Sequence, residues 1–437
     1  METPMTVIIG GGLAGISAAL HLRGRYRLLE RSQRLGGLAR TEERDGYYFD
    51  HTGHWLHLRD DYFKKLADEL MGDELAEVAR IARVYSQGVL TRYPYQANLH
   101  GLPAETIHEC LVGLFNARAE QTRGDAPRNF EEYIHHYFGA GIAKHFMVPY
   151  NHKLWGVHPR EITSAWCSRF VPLPDVEQII AGAVGAGPAE LGYNIHFRYP
   201  KQGGIETFAK ALISRLDDRC VSTGCSVERI DPVKRTVEAG GETLPYHALI
   251  ATAPLPALVK MLADPPEEIT AAAARLRATS VRYLNVGTKA LPASDYHWVY
   301  VPEPHLPVYR VGIFSNAMPS MAPAGCASLY VELSDRTPIS DQQALVKDAL
   351  QSLVEIKAIS RVDDVVFADL REIDPAYVIF DDGYEAALET IHRYLTQARI
   401  YATGRYGAWI YNSMEDSLRM GKETAELVDA LPVEENR

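Results

Sequence analysis

The chain has 437 residues, 45 of them Lys or Arg and 56 Asp or Glu, which gives a formal net charge of −11 at pH 7. This acidic balance argues against nucleic acid as a partner, because nucleic-acid binding needs clustered cations, and the length allows two or three domains. Five scattered cysteines without CxxC spacing argue against a disulfide framework or a zinc site, so no metal ligands are predicted.

No apolar run reaches about 18 residues, the length at which a membrane-spanning helix becomes a candidate. The first predicted strand begins almost at Met1, and no signal peptide precedes it. We therefore expect a cytoplasmic enzyme without membrane insertion.

The first predicted elements are a strand, a glycine-rich turn, a helix and a second strand. Gly10 follows the apolar strand at residues 6–9 and permits a tight turn, while Gly12 lets the backbone approach a pyrophosphate. Gly15 lets the helix pack closely on the strand, and the helix N-terminus favours the phosphates. Glu30 follows the second strand, where it can accept hydrogen bonds from a ribose. This order of elements predicts a bound dinucleotide. The residues predicted to contact it are Gly10, Gly12, Leu13, Ala14, Gly15, Glu30 and Arg31.

A second glycine-rich turn, at residues 34–41, favours a flavin over a nicotinamide dinucleotide. A nicotinamide-binding unit normally returns to its sheet by a helix at this point, whereas here a turn and then Gly53-His54 follow. This pattern resembles the flavin-containing amine oxidase superfamily, in which the second turn lies against the phosphates of FAD. The resemblance implies FAD as the cofactor. The further FAD contacts that it implies are Gly37, Leu38, Gly53, His54, Val227, Gly404 and Arg405.

The order of these segments predicts an α/β fold, in which two insertions interrupt a discontinuous Rossmann-like FAD-binding domain. The first insertion is mainly helical, with a hairpin-like stretch at residues 84–90. The second alternates apolar and polar residues, which is typical of an antiparallel sheet, and carries one helix at about residues 341–356. The FAD-binding pieces are predicted at 1–59, 199–264 and 386–437, the helical substrate domain at 60–198, and the antiparallel sheet substrate domain at 265–385.

Three motifs in the first insertion are more specific. Tyr93-Pro94-Tyr95-Gln96 is followed by Asn129-Phe130 and then by Pro149-Tyr150-Asn151-His152-Lys153-Leu154-Trp155. UDP-galactopyranose mutases carry similar motifs in this order, and the chain resembles the eukaryotic branch of that family more than its short bacterial branch. The resemblance spans nearly the whole chain, and the third motif is its most specific part.

The resemblance implies a nucleotide-sugar site. Arg169 and Arg310 match two arginines whose guanidiniums can close on a diphosphate by bidentate hydrogen bonds. His54 matches a histidine loop that faces the flavin ring, and it is predicted to be catalytic together with the two arginines. The residues that match positions around the uracil, the ribose and the diphosphate are Tyr93, Gln96, Asn151 and Trp155. The tyrosines that would complete the pocket are Tyr300, Tyr377 and Tyr411.

The activity that the resemblance implies is a flavin-dependent isomerisation. UDP-galactopyranose and UDP-galactofuranose, or a closely related nucleotide-sugar, would interconvert through an adduct between the sugar and N5 of the flavin. Reduced FAD would be the active form, with no net redox change and with an external reductant such as NAD(P)H to charge it. The product would serve cell-surface glycan biosynthesis.

A second reaction class stays open at this point. An FAD-dependent oxidase or desaturase, of the amine oxidase or protoporphyrinogen oxidase type, would share the same FAD segments. Enzymes with greasy substrates need an apolar tunnel, however, and a pair of arginines flanked by tyrosines is a poor lining for one. The sequence leaves the nucleotide, the sugar, the physiological reductant and the oligomeric state undecided.

Several positions depart from the mutase pattern. Thr52 stands where the family has glycine, and His57 stands where the eukaryotic enzymes stack a phenylalanine on the nucleotide. The asparagine expected after Tyr411 is missing, so the base and the sugar are the least certain parts of the substrate. Structural roles are also open, since Arg310 could lie in a surface salt bridge and Trp155 in the core.

Overall fold

The computed structural model describes residues 5–120, 126–164, 167, 171, 173, 175–187, 195–334 and 341–432. Within these ranges no helix combines the length and the apolar character that crossing a bilayer requires. The strands, in chain order, are β1 (Met5–Ile9), β2 (Arg25–Leu29), β3 (Thr41–Arg44), β4 (Tyr47–Asp50), β5 (Leu75–Ala79), β6 (Ala82–Ser86), β7 (Val89–Arg92), β8 (His196–Pro200), β9 (Val221–Ser222), β10 (Val227–Asp231), β11 (Thr236–Ala239), β12 (Glu242–Pro245), β13 (Ala248–Ala251), β14 (Ala278–Thr288), β15 (Trp298–Tyr300), β16 (Val308–Ile313), β17 (Ala327–Leu333), β18 (Val365–Val378) and β19 (Ile400–Ala402).

The helices accompany these strands along the same part of the chain. In chain order they are α1 (Leu13–His21), α2 (Asp61–Met71), α3 (Ala104–Glu120), α4 (Phe130–Ile142), α5 (Val148–Trp155), α6 (Val176–Ala183), α7 (Glu206–Ile213), α8 (Leu255–Met261), α9 (Glu267–Arg275), α10 (Phe314–Ala317), α11 (Gln342–Glu355), α12 (Tyr384–Gln397), α13 (Gly404–Gly407) and α14 (Met414–Asp429).

A parallel sheet in the order β19-β13-β1-β2-β9 forms the centre of the region predicted to bind a dinucleotide. Its central strand, β1, buries Val7 and Ile8 completely, as expected where helices cover both faces of a parallel sheet. The strands come from three separate stretches of the chain, at 5–29, 221–251 and 400–402. The predicted α/β fold, with a discontinuous Rossmann-like domain, is confirmed.

A seven-stranded sheet in the order β18-β14-β17-β16-β15-β6-β7 forms the second layer. Its pairs are antiparallel except for β15 and β6, which run parallel. The predicted helix of the second insertion is α11, and Asp341 caps it by accepting hydrogen bonds from the backbone N–H groups of Gln343 and Ala344. The hairpin β6–β7 comes from the predicted helical insertion, so this sheet takes strands from both insertions.

Helix α5 is fastened to the seven-stranded sheet by a buried lysine. Lys153 is only 4% exposed. Its ammonium donates to the backbone carbonyls of Val301, Glu303 and Val308 at 3.1, 2.8 and 2.7 Å. These carbonyls lie where the chain passes from β15 to β16. The lysine of the third sequence motif therefore positions the helix that carries Asn151 and Trp155.

Lys153→Met is expected to lower the free energy of unfolding by roughly 2–4 kcal/mol, because buried carbonyls lose their charged donor. Methionine keeps most of the apolar stem, so the loss reports mainly on the ammonium. Thermal and urea unfolding of the purified protein would measure it. The matched control is Lys64→Met, since Lys64 is exposed on α2 and its ion pair with Asp61 contributes little. Equal stability of the two variants would contradict a fastening role for Lys153.

Candidate active site

The glycines of the first turn divide into packing positions and one open position. Gly10 has φ +98°, and a Cβ there would lie 2.3 Å from Oγ1 of Thr252. A Cβ on Gly15 would lie 1.9 Å from the carbonyl oxygen of Gly10, so the helix touches the strand only because no side chain intervenes. At Gly12 the nearest atom to a built Cβ is Cα of Gly37 at 3.8 Å. Gly12 is therefore the one glycine of this turn with room for a Cβ.

Gly12 lies at the N-terminus of α1, which no side chain caps. The first intrahelical hydrogen bond of α1 runs from the N–H of Ile16 to the carbonyl of Gly12. The N–H groups of residues 13–15 have no acceptor within the helix, and the cap residue Gly12 has no side chain to satisfy them. The second glycine turn closes the other side, since the N–H of Gly36 donates to the carbonyl of Gly11 at 2.8 Å. The resulting cradle of N–H groups and bare backbone fits a pyrophosphate.

Glu30 lies beside this cradle and is held by the backbone. Its Oε2 accepts from the N–H of Gly11 and its Oε1 from the N–H of Ser32, both at 2.7 Å. An ionised carboxylate accepts about four hydrogen bonds in total, so acceptor sites remain for ribose hydroxyls. Arg31 is exposed, while Leu38 in the second turn and Val227 at the start of β10 are half-buried.

The third piece of the predicted FAD-binding domain, residues 386–437, contacts α1 through Gly404. Gly404 has φ +74°, and a Cβ there would lie 2.6 Å from Cβ of Ala14. The next residue, Arg405, donates to the carbonyls of Asn412 and Ala376 at 2.9 and 3.1 Å. Its guanidinium also lies 5.5 Å from the ring centre of Tyr377 and 5.0 Å from that of Tyr411. Arg405 thus links the dinucleotide turn to two of the predicted substrate residues.

The histidine loop packs its glycine against the seven-stranded sheet. Tyr330 of β17 leaves no room for a side chain at Gly53, where a Cβ would lie 2.5 Å from the tyrosine hydroxyl. Burial, followed by the nearby positive charges of His51 and Arg405, lowers the pKa of His54 to about 4. The imidazole is neutral at pH 7, and its buried Nδ1 has no hydrogen-bond partner among the described residues. A buried polar atom of this kind suits a bound ring with polar edges.

The low pKa of His54 predicts in which direction stability changes with pH. An unfolded histidine titrates near pH 6.5, so between about pH 6.5 and 4 the unfolded chain binds a proton that the folded chain excludes, and stability falls as pH falls. His57 and His297, whose pKa values burial also lowers to about 4, add to this loss. We expect His54→Gln to lose less thermal stability between pH 7 and pH 5 than the parent. The control is His108→Gln, which replaces an exposed histidine and should lose as much stability as the parent. An equal loss in His54→Gln and in the parent would contradict the prediction.

Five of the predicted substrate residues belong to one hydrophobic cluster, in which their rings form a pair and a trio. The ring centres of Tyr93 and Tyr300 are 4.8 Å apart. Trp155 lies 5.6 Å from Tyr377 and 6.3 Å from Tyr411, and these two tyrosines stack at 5.9 Å. The cluster draws on the turn after β7, on α5, on β15, on β18 and on the segment before α14.

Tyr93, Tyr300 and Tyr377 of this cluster are neutral hydrogen-bonding groups. Burial raises the pKa of Tyr93, Tyr300 and Tyr377, although the positive charge of Arg310 opposes the shift for the last two. Their hydroxyls keep their protons at every physiological pH, so they can orient a polar ligand but do not act as bases.

Arg310 lies beside this cluster in a buried ion pair. On neighbouring strands β16 and β17, Arg310 stands directly opposite Glu332. Its Nε donates to Oε2 of the carboxylate at 2.8 Å and its Nη2 to Oε1 at 2.5 Å, while Nη2 also donates to the hydroxyl of Tyr377 at 3.1 Å. The side chains are 20% and 1% exposed, respectively. The arginine therefore lies in a salt bridge, but in a buried one next to the predicted pocket.

Glu332 was missed by the sequence analysis. Burial alone would lower the pKa of the Arg310 guanidinium, and Glu332 with the surrounding tyrosines reverses this, so its pKa lies well above the ordinary value. The available signal was that Glu332 is the one carboxylate in the apolar run at 327–333, all of which is buried. A lone acid in such a strand requires a buried cation as partner.

The remaining predicted residues have other surroundings. Gln96 is buried in the turn Tyr95–Ala97. Asn151 is also buried, and its amide donates to the carbonyl of Met147 at 2.7 Å, one turn earlier along the chain. Arg169 lies outside the described residues.

Comparison with known proteins identifies the family of the chain. The model of the flavin-containing amine oxidoreductase family matches residues 13–428. A crystal structure of reduced UDP-galactopyranose mutase is similar with a TM-score of 0.92 and 29% identity, over 98% of this chain and 94% of that chain. A putative protoporphyrinogen oxidase from Exiguobacterium sp. 255-15 shares the fold with a TM-score of 0.75 and 16% identity, over 98% and 99% of the two chains.

A curated relative from Dictyostelium discoideum, a probable flavin-containing monoamine oxidase A, is 34% identical over 107 residues. That match covers 22% of this chain and 24% of the relative, about a quarter of its length. The family model, in contrast, spans nearly the whole chain. The chain therefore belongs to the flavin-containing amine oxidoreductase family and is a flavin-dependent enzyme.

Proposed function

We propose that the protein is an FAD-dependent mutase that interconverts the pyranose and furanose forms of UDP-galactose or of a closely related nucleotide-sugar. The observation that carries this proposal is the buried Arg310–Glu332 pair, which is bonded to Tyr377 at the edge of an aromatic cluster. An arginine surrounded by tyrosine hydroxyls suits a diphosphate joined to rings. The similarity in structure to a UDP-galactopyranose mutase supports the same conclusion.

The free donors of Arg310 indicate how it would hold a diphosphate. A guanidinium has five N–H groups; Glu332 takes those of Nε and one of Nη2, and Tyr377 takes the other of Nη2. No described residue accepts from Nη1, so its two N–H groups remain for a ligand. Because Glu332 fixes the plane of the guanidinium, these donors are pre-oriented, and the departing diphosphate would stay in place for its return to the sugar. We assign the same task to Arg169.

The proposed cofactor is FAD, with its pyrophosphate in the cradle formed by Gly12, Gly37 and the N-terminus of α1, and its adenosine ribose on Glu30. Reduced FAD supplies a nucleophilic nitrogen for the anomeric carbon of the sugar, and an external reductant such as NAD(P)H would be needed to charge it. Neutral His54 would lie against the flavin ring, where it can exchange a hydrogen bond without adding charge. The tyrosine hydroxyls would orient the sugar.

Anaerobic turnover of UDP-galactofuranose separates this proposal from an oxidase. With dithionite-reduced protein we expect conversion to UDP-galactopyranose, with the flavin still reduced at the end and no conversion by the oxidised protein. Chromatography of the nucleotide-sugars and the visible spectrum of the flavin give the two readouts. Release of hydrogen peroxide from an amine at the rate of turnover, without any conversion of the nucleotide-sugar, would establish the oxidase instead.

A further inference from the structure

A polar cavity lies beside the β6–β7 hairpin, and the proposed function does not use it. Its volume is about 380 Å³, and its polar side chains include Arg83, Arg92, Asn98 and His100. No carboxylate is among the described residues that line it. Acidic residues outnumber basic ones in the whole chain, 56 to 45, so a cavity lined by two arginines and by no described acid differs from the overall charge balance.

The two arginines face each other without a shared counter-charge. Arg83 and Arg92 are directly opposite on the antiparallel strands β6 and β7, which places both side chains on the same face of the hairpin. Arg83 has one long ion pair, 3.9 Å, with the exposed carboxylate of Asp295. Arg92 is exposed and, within the described part of the chain, has no ion pair. Like charges in this register destabilise a sheet, unless an anion lies between them.

The opposite wall of the cavity is built from backbone. Gly182, near the end of α6, would bring a Cβ within 1.9 Å of the carbonyl of Ala97. Gly185 has φ +77°, and its Cβ would lie 3.1 Å from Nδ1 of His100. Glycine at these positions lets the chain after α6 close directly on the turn that follows β7. The cavity is thus a packed feature of the fold, with a cationic side and a backbone side.

We propose that this cavity binds a phosphate group between the guanidiniums of Arg83 and Arg92. A dianionic phosphate offers oxygens to both forks and removes their mutual repulsion. His100 also lines the cavity, and the amide nitrogen of Asn98, which donates one N–H to the carbonyl of Pro94 at 2.9 Å, has a second N–H to offer. The volume leaves room beyond the phosphate itself, so the ligand is either inorganic phosphate or a small phosphorylated metabolite. None of these residues belongs to the proposed nucleotide-sugar site.

Titration calorimetry of the flavin-loaded protein with inorganic phosphate and with ribose 5-phosphate tests the proposal. We expect the parent protein to bind one more equivalent of phosphate ligand than Arg92→Gln or Arg83→Gln does. If the stoichiometry is equal, we expect the affinity of the parent for the ligand to be at least tenfold higher than that of either variant. Tighter binding of ribose 5-phosphate would identify a phosphorylated metabolite as ligand, and equal binding would identify free phosphate. The matched control is Arg229→Gln, an exposed strand arginine outside the cavity, which should bind as the parent does.

Thermal unfolding gives a second, independent readout. In buffer without multivalent anions, Arg92→Gln should be at least as stable as the parent, because one of two facing charges is gone. Phosphate should stabilise the parent more than sodium chloride of equal ionic strength does, and Arg92→Gln should lose this excess. Unchanged stoichiometry and affinity in both cavity variants, with the same phosphate excess in unfolding, would overturn the proposal.

Discussion

Arg310→Ala is expected to weaken the binding of UDP by about 100-fold or more. Hydrogen bonds to charged groups contribute roughly 1.5–3 kcal/mol, which is about ten- to a hundredfold in affinity. The structure adds a second term, because the variant leaves the carboxylate of Glu332 buried without its partner. An unpaired buried acid would repel the diphosphate and would also destabilise the protein. Calorimetric titration with UDP measures the affinity, and the flavin content should not change.

The double variant Arg310→Ala with Glu332→Gln separates these two terms. It removes the guanidinium but leaves no unpaired charge, so we expect it to bind UDP more tightly than Arg310→Ala and more weakly than the parent. Arg310→Lys should rescue only part of the loss, since an ammonium cannot reproduce the fork that bonds Glu332, Tyr377 and a ligand at once. If Arg310→Ala and the double variant bind UDP as the parent does, the nucleotide-sugar site lies elsewhere.

Gly12→Glu is expected to abolish flavin binding without unfolding the protein. A Cβ on Gly12 would make only an ordinary van der Waals contact, 3.8 Å from Cα of Gly37, so the backbone itself tolerates a side chain there. Its carboxylate would then occupy the place of the pyrophosphate and repel it. The ratio of visible to ultraviolet absorbance after purification, and again after addition of FAD, measures the loss. Circular dichroism checks that the fold remains.

Two alanine variants serve as controls for this experiment. Gly12→Ala should fold and retain part of its flavin, because a methyl group there touches no protein atom closely. Gly15→Ala should fail to fold normally, because its Cβ would lie 1.9 Å from the carbonyl of Gly10. A yellow Gly12→Glu protein with full flavin content would show that the first glycine turn does not hold the cofactor.

Local sequence was sufficient for the dinucleotide region because its determinants are close together in the chain. The turn, the helix N-terminus and Glu30 all lie within residues 5–30, and each glycine has a distinct steric reason. The order of the separated strands followed from resemblance rather than from pattern. The confirmed fold class therefore rests on a short motif combined with a family likeness that spans most of the chain.

Long-range pairing set the limit of the sequence analysis. The hairpin at residues 84–90 was predicted, but its parallel pairing with β15 depends on a partner more than two hundred residues away. Glu332 was missed for the same reason, since its partner Arg310 lies on another strand. Motif matching also does not reveal that the amide of Asn151 bonds to its own helix, or that Lys153 bonds to three carbonyls.

The parallel pairing of β6 with β15 has a consequence for any truncated form of the protein. If the segment 60–198 were deleted, β15 would lose its neighbour, and a row of backbone N–H and C=O groups would face solvent on that side. Sheet edges of this kind pair readily with other chains. A shortened protein that keeps the second insertion without the hairpin should therefore aggregate through β15. Lengthening the sequence only as far as β7 should restore a hairpin at that edge and recover solubility.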